Sequence, residues 1–327
     1  MTSADSPRPH TMLAAVYDTP GPAQNLRLTD EVSVPFALSD EVLVRVHASA
    51  LNPIDTKTRA GRGVASGIVR YPALIGSDFA GVVVRAPYEA HPLQPGTEVY
   101  GMLPVPRVSG SYAQYVAAPS LSIAPKPDNL SFTEAAAVPL AAMTAWGALD
   151  AAEIESGQRV LIHAGAGGVG HFAVQLAALR GAHVIATGSA HNLDFLRELG
   201  AAEVIDYTAR NFEDGLAPVD AVIDLIGNVH ANTGSRSLGV IVEGGVIVNV
   251  PSGSWPEFAA EAEAAGVRGT HYKVSPDARV LEQITALIES DQLRVVLADT
   301  YPLERIVEAH EALEAGHTRG KIAISIP

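Results

Sequence analysis

Cysteine is absent from this chain of 327 residues. That excludes disulfides, iron–sulfur clusters, a thiolate nucleophile and every zinc site built on sulfur. Positive charge is scarce: 22 Lys and Arg stand against 36 Asp and Glu, a formal charge of −14. With no basic cluster, nothing would drive counterion release from a phosphate backbone, so no nucleic-acid partner is expected. No uninterrupted apolar run reaches the roughly 18 residues that a bilayer span needs, so no membrane partner is expected either. The opening MTSADSPRPH lacks the apolar stretch of a secretion signal and reads as a loose tail. The expectation is a cytoplasmic protein. Internal repeats and low-complexity tracts are also missing.

What remains is a core-forming composition. Apolar residues make up 47% and charged residues 18%, and the length suits two domains. The first third alternates short apolar runs at 13–18, 41–51 and 79–86 with Gly and Pro punctuation, the texture of a small barrel or sandwich. Pro95-Gly96 predicts a turn into a further strand at TEVYGM. A Pro-rich connector, APKPDNLS, follows. Ser131 and Glu134 then form a capping-box pattern that starts a helix, and Pro139 breaks it before a second helix through Trp146.

From residue 159 strands and helices alternate. RVLIHA, HVIATG, EVIDY, DAVIDLIG, GGVIVNV and VRGTHY read as strands. HFAVQLAALRG, ending at Gly181, and NLDFLRELG read as helices between them. This spacing predicts a doubly wound parallel sheet. An amphipathic helix at 276–290, a strand at LRVVLADTYPL, a helix at ERIVEAHEALEAG and a strand at GKIAISI come after that sheet is complete. They are expected to return to the first domain.

The sharpest motif is VLIHAGAGGVGHFAVQLA. Gly165, Gly167 and Gly170 satisfy G-x-G-x-x-G directly between a strand and a helix, the context that a dinucleotide site needs. Gly165 is read as permitting the tight turn, Gly167 as letting backbone amides approach a pyrophosphate, and Gly170 as permitting close helix–strand packing. The pyrophosphate would sit at the positive end of the helix dipole. After the second strand come Gly188, Ser189, Ala190, His191 and Asn192, with no carboxylate to bind a ribose 2′-hydroxyl. Such a set accepts a 2′-phosphate, so the expected cofactor is NADP(H) rather than NAD. Tyr207, after the third strand, either adds a hydroxyl there or packs at an edge.

On these residues the sequence resembles the medium-chain dehydrogenase/reductase superfamily, in its zinc-independent quinone oxidoreductase branch. ALNPIDTKTRAG, IGSDFAGVV, GSYAQYV, AAAVPLAAMTAW, VDAVIDLIG and EALEAGHTRGKIAISI carry the resemblance beside the Gly-rich loop. It implies an α/β protein: a GroES-like β-rich substrate domain, discontinuous over 1–125 and 276–327, and a Rossmann domain over 126–275. It implies a homodimer and NADPH-dependent reduction of a small-molecule quinone or α,β-unsaturated carbonyl in the cleft between domains. Zinc-dependent relatives carry Gly-His-Glu where this chain has Gly76-Ser77-Asp78, so no metal is expected.

Carried over position by position, the resemblance puts Asn52 beside the nicotinamide and Thr144 near its phosphate. It puts Ala166, Gly167, Gly168 and Val169 on the pyrophosphate, with Ser189 and Tyr207 near the 2′-phosphate. Leu225, Ile226 and Gly227 would line the path to the nicotinamide, which Val250 and Pro251 would meet. Arg319 and Lys321 would approach the cofactor from the C-terminal segment. The chain departs from some relatives in having no Lys soon after the second strand.

Hydride transfer from a nicotinamide needs donors near the developing oxyanion. Asn52, Lys57 and Tyr112 are the candidates. Asp55 and Lys57 would share a face of an extended segment and could simply pair. Tyr71 and Trp255 could wall a flat substrate, although ordinary packing is the preferred reading. His47 and His163 read as structural. GSYAQYV is expected to form a strand near the cleft, with Ser111 beside Tyr112. Competing functions are an enoyl-thioester reductase, a zinc-independent alcohol dehydrogenase and a non-enzymatic NADPH-binding protein.

Overall fold

The computed structural model describes residues 9–105 and 110–327. Most of the expected tail, 1–8, and part of the Pro-punctuated segment, 106–109, lie outside the described residues.

The N-terminal part is β-rich, as its turn residues predict. Its elements are β1 (Thr11–Tyr17), β2 (Leu26–Ser33), β3 (Glu41–Ala50), α1 (Pro53–Arg59), β4 (Ala73–Leu74), β5 (Asp78–Arg85), β6 (Glu98–Met102), β7 (Tyr115–Pro119) and β8 (Ile123–Pro125). The expected strand at GSYAQYV begins only at Tyr115, and 110–114 run irregularly.

The central part contains α2 (Phe132–Ala136), α3 (Pro139–Ala151), β9 (Arg159–Ile162), α4 (Gly170–Leu179), β10 (His183–Gly188), α5 (Leu193–Glu198), β11 (Glu203–Asp206), β12 (Val219–Asp224), α6 (Thr233–Leu238), β13 (Ile241–Asn249), α7 (Phe258–Ala264) and β14 (Arg268–His271). The six strands are all parallel, in the order β11-β10-β9-β12-β13-β14. The order reverses between β9 and β12, which opens a crevice beyond the carboxyl ends of those strands. Ser131 and Glu134 do form the capping box that starts α2, and Pro139 opens α3.

The chain ends with α8 (Ala278–Glu289), β15 (Leu297–Pro302), α9 (Ile306–Glu314) and β16 (Lys321–Ser325). β16 pairs antiparallel with residues 48–50 of β3, and β15 runs parallel beside β16. The chain's last strand thus extends a sheet of order β15-β16-β3-β5-β6-β8, in which β7 also pairs with β3. Helix α8 sends Leu281, Ile284 and Ile288 into a core shared with Tyr100, Met102, Leu149 and Val160. The two sheets are held together by this continuous apolar packing.

Candidate active site

The Gly-rich loop connects β9 to α4. Its left-handed residue is Ala164, at φ 50°, not one of the glycines. Gly167 N–H closes the turn onto the Ala164 carbonyl at 2.9 Å. Gly165 is required by packing instead of by the turn: a Cβ there would stand 2.9 Å from Leu196 and 3.0 Å from Ala186. This corrects the reading of Gly165 as the turn residue. Gly170 is the most constrained, since a Cβ would lie 2.1 Å from the Ala164 oxygen. A Cβ on Gly167 would meet only that oxygen, at 3.3 Å, so the space beside the loop at this position is open. Such a backbone cradle at a helix N-terminus suits a diphosphate. Val169 leads into α4 beside it, and Gly320 N–H bonds the Ala166 carbonyl at 2.9 Å.

That last bond brings the C-terminal segment over the loop. Arg319 reaches the end of β10, where its guanidinium donates to Asn192 Oδ1 at 2.7 Å and to the His191 carbonyl at 2.8 Å. Asn192 Nδ2 donates in turn to Ser189 Oγ at 3.1 Å, and His191 Nδ1 lies 3.4 Å from the same hydroxyl. Arg319 also sits over the Phe195 ring, 5.0 Å from its centre. The cation missing after the second strand is therefore supplied from 127 residues further along the chain. Tyr207 is exposed beyond β11, with its backbone N–H on the Gly188 carbonyl at 3.2 Å.

On the other side of the loop lies a buried polar cluster. Asn52 is the N-cap of α1, Pro53 stands at its first position and Asp55 at its third, in a capping box. The segment is thus helical, which overturns the extended pairing of Asp55 with Lys57. Asp55 turns inward, whereas Lys57 is half-exposed. Asp55 Oδ2 accepts the Asn52 backbone N–H at 2.9 Å and the Tyr112 hydroxyl at 3.0 Å. Tyr112 is fully buried and commits its proton to that carboxyl, so it is not a free donor to substrate.

The Asn52 side chain is held at both ends. Its Nδ2 donates to Asp78 Oδ2 at 2.9 Å, and its Oδ1 accepts from the Lys321 ammonium. Lys321 Nζ also donates to the Leu51 carbonyl at 2.8 Å and stands 3.7 Å from Asp78. Its stem passes against Gly168, where a Cβ would lie 3.1 Å from Cδ. Asp78 Oδ1 accepts Leu140 N–H at 2.8 Å at the start of α3, where a negative charge also suits the helix dipole. Sequence reasoning missed Asp78 as an organising residue. Burial raises the pKa of Asp78 and lowers that of Lys321, and each opposes the other's shift. These partners fix the orientation of the amide, and the second Nδ2 hydrogen of Asn52 has no acceptor among the described residues.

A small cavity of about 30 Å³ adjoins this cluster. Asp55, Thr58 and Ser77 line it together with Ile54, Ile68 and Leu103.

Leu225, Gly227, Val250 and Pro251 stand just past strand ends, and the remaining expected residues lie elsewhere. Asp224, unnoticed in the sequence, ends β12 and accepts from Ile226 and Gly227 N–H at 2.9 and 2.8 Å, and from Asn249 Nδ2 at 2.8 Å. It fixes the turn that presents Leu225 and Gly227, the latter at φ 70°. Val250 and Pro251 follow β13, with Val250 N–H on the Asp224 carbonyl at 3.0 Å. Thr144 spends its hydroxyl on the Leu140 carbonyl within α3, at 2.6 Å. His163 is a structural residue held between Thr187 and Ser237, its pKa lowered by burial to about 4. His47 stacks on Phe132. Trp255 is buried in the core against Phe258, and half-exposed Tyr71 packs edge-on against Tyr17.

Comparison with known proteins agrees with this arrangement. Residues 38–128 match the alcohol dehydrogenase GroES-like domain, and residues 199–324 match the zinc-binding dehydrogenase family. The chain is 36% identical to a 2-methylene-furan-3-one reductase of Solanum lycopersicum, over 99% of its own length and 81% of the relative's. It is 35% identical to a chloroplastic NADPH-dependent alkenal/one oxidoreductase of Arabidopsis thaliana, over 98% and 81%. The solved quinone oxidoreductase of Coxiella burnetii superposes with a TM-score of 0.90 at 37% identity, covering 97% of this chain and all of that one. The chain belongs to the medium-chain dehydrogenase/reductase family. The second family description names zinc binding. Among the described residues no group of three or more His, Asp or Glu could hold a metal. At the Asn52–Ser77–Asp78 position a buried ammonium already supplies the positive charge.

Proposed function

We propose that this medium-chain dehydrogenase/reductase uses NADPH to reduce a small quinone or α,β-unsaturated carbonyl, without a metal. The observation that carries the reading is that residues 319–321 join three features: the Gly-rich loop at Ala166–Gly168, the Arg319–Ser189–Asn192 cluster, and the locked Asn52 amide. The names of the reductase and oxidoreductase relatives support it. When bound, reduced nicotinamide supplies the hydride. The chain's own residues bind and orient. The loop amides of Ala166, Gly168, Val169 and Gly170 hold the diphosphate over Gly167, whose own N–H closes the turn, and Ser189, His191, Asn192 and Arg319 hold the 2′-phosphate, with Tyr207 at its margin. Thr144, Leu225, Gly227, Val250 and Pro251 flank the nicotinamide end. Asn52 donates its free Nδ2 hydrogen toward the developing oxyanion, which lowers the barrier because that donor is already fixed. Lys321 acts here through Asn52.

The domain division proposed is 1–125 with 276–327, and 126–275. The free edge of β14, which pairs only with β13 among the described residues, supports a homodimer. Light scattering would read it as twice the 34.1 kDa chain.

A panel of quinones and unsaturated carbonyls, assayed with NADPH and then with NADH, tests the function. Loss of NADPH absorbance with members of either class, unaffected by chelators, is the expected result. A flat trace across both classes would leave a nucleotide-binding protein without this activity. Arg319→Ala should raise KM for NADPH about 10- to 100-fold, the worth of one charged hydrogen-bonded contact, with KM for NADH little changed. Equal effects on both nucleotides would remove Arg319 from the 2′-phosphate.

A further inference from the structure

The two oxygens of Asp55 are not equivalent. Oδ2 accepts two donors, the Asn52 N–H and the Tyr112 hydroxyl. Among the described residues, Oδ1 has only Ser77 Oγ, at 3.4 Å. A proton on this carboxyl therefore belongs on Oδ1, because the Oδ2 side is taken by groups that donate to it. Oδ1 is the oxygen beside Ser77, and Asp55 and Ser77 both line the cavity. Thr58 Oγ1, in the same lining, is buried and has no hydrogen-bond partner among the described residues. The lining of the cavity thus includes a protonatable carboxyl, the Ser77 hydroxyl bonded to it and an uncommitted hydroxyl, among apolar residues.

We propose that Asp55 stores the proton that completes the reduction and passes it through the Ser77 hydroxyl to the oxyanion of the reduced substrate. This rests on the reductase reading given above. Hydride addition brings two electrons to the substrate and leaves negative charge on its oxygen. The Ser77 O–H bond breaks as a new O–H bond forms on that oxygen. Ser77 Oγ takes the Asp55 proton, and the carboxylate keeps the electron pair of its broken O–H bond. Water later reprotonates Asp55. A quinone leaves as the hydroquinone, and an enone as the enol, which tautomerises to the saturated ketone.

The surroundings tune the group for this task. Burial pushes the Asp55 carboxyl up to about 7, and nearby Asp78 adds to the rise. The Asn52 N–H, the Tyr112 hydroxyl and the Lys321 ammonium hold it from going higher. Lys57 and Arg59 share its helix, and His310 of α9, kept neutral by burial, stacks edge-on against Tyr112. An acid poised near neutral pH both gives up and recovers its proton readily.

The test begins with the nucleotide-free protein. Infrared difference spectra between wild type and Asp55→Asn should contain a protonated-carboxyl band that titrates near pH 7. A band already lost at pH 5 would overturn the proposal. Asp55→Asn keeps an oxygen for the Asn52 and Tyr112 donors, so α1 should survive. Its kcat should fall about 100-fold and lose the wild-type pH dependence near 7, with KM for NADPH unchanged. Ser77→Ala should lower kcat similarly while the carboxyl band still titrates. Wild-type kcat and pH profile in either variant would sink the relay and leave the reductase reading standing. A wild-type protein that reduces no substrate would sink that reading, and the relay with it, even if the band titrates.

Discussion

Gly167→Asp should bind NADPH about a thousandfold more weakly than the wild type and unfold at nearly the same temperature. The reason lies in what a side chain meets at each glycine of the loop. At Gly167 the first carbon needs only a few tenths of an ångström from the Ala164 oxygen at 3.3 Å. The fold therefore tolerates the residue. The carboxylate, however, would stand at the N-terminus of α4 where the diphosphate should lie. Two like charges about 4 Å apart at a partly screened site repel by about 4 kcal/mol, or about three decades of affinity. Gly170→Ala should show the opposite pattern. Its added carbon would fall 2.1 Å from backbone oxygen, so the turn itself must move and the melting temperature should drop. Nucleotide titration by fluorescence and thermal melts of the two variants separate the cases. Wild-type affinity in Gly167→Asp would remove the diphosphate from this loop.

The contrast bears on how much could be read before any fold was known. The strand–loop–helix at 159–179 was legible because apolar periodicity, three glycines and a helix dipole all act locally. The capping box at Ser131 was legible for the same reason. Helix α1 was not read, although Asn52-Pro53 and Asp55 spell out its cap. It has only seven residues, and its inward face carries Asp55, Thr56 and Thr58 instead of an apolar stripe. α6 and α7 also went unread. Polar residues that organise the site escaped for a different reason. Asp78 and Asp224 look like ordinary strand residues, and their partners come from other elements. Arg319 illustrates the limit best. Resemblance suggested that it approaches the cofactor, but only the pairing of β16 with β3 carries it to Asn192. No spacing rule links positions so far apart.

Lys321→Met should destabilise the fold by about 3–5 kcal/mol near neutral pH, the usual cost of leaving one member of a buried ion pair behind. The methylene stem that packs on Gly168 is largely preserved, so the loss reports the charge. Its pH dependence has a definite sign. Burial already raises the Asp78 pKa, and Lys321 is the chief force opposing that rise. Without the ammonium, the folded state grips the Asp78 proton more tightly than the unfolded chain does. It then binds more protons above about pH 4, where a free carboxyl ionises, so stability falls as pH rises. Denaturant unfolding at pH 5 and pH 8 should therefore find the larger deficit at pH 8. Adding Asp78→Asn removes the stranded charge and should restore much of the stability. It should not restore turnover, because Asn52 would still lack the ammonium that holds its Oδ1. Arginine is a poor replacement, since a planar fork needs more room than a compact ammonium finds among Leu51, Asn52 and Asp78. A deficit of equal size at both pH values would mean that Lys321 stabilises the fold through its stem and not as the counter-ion of Asp78.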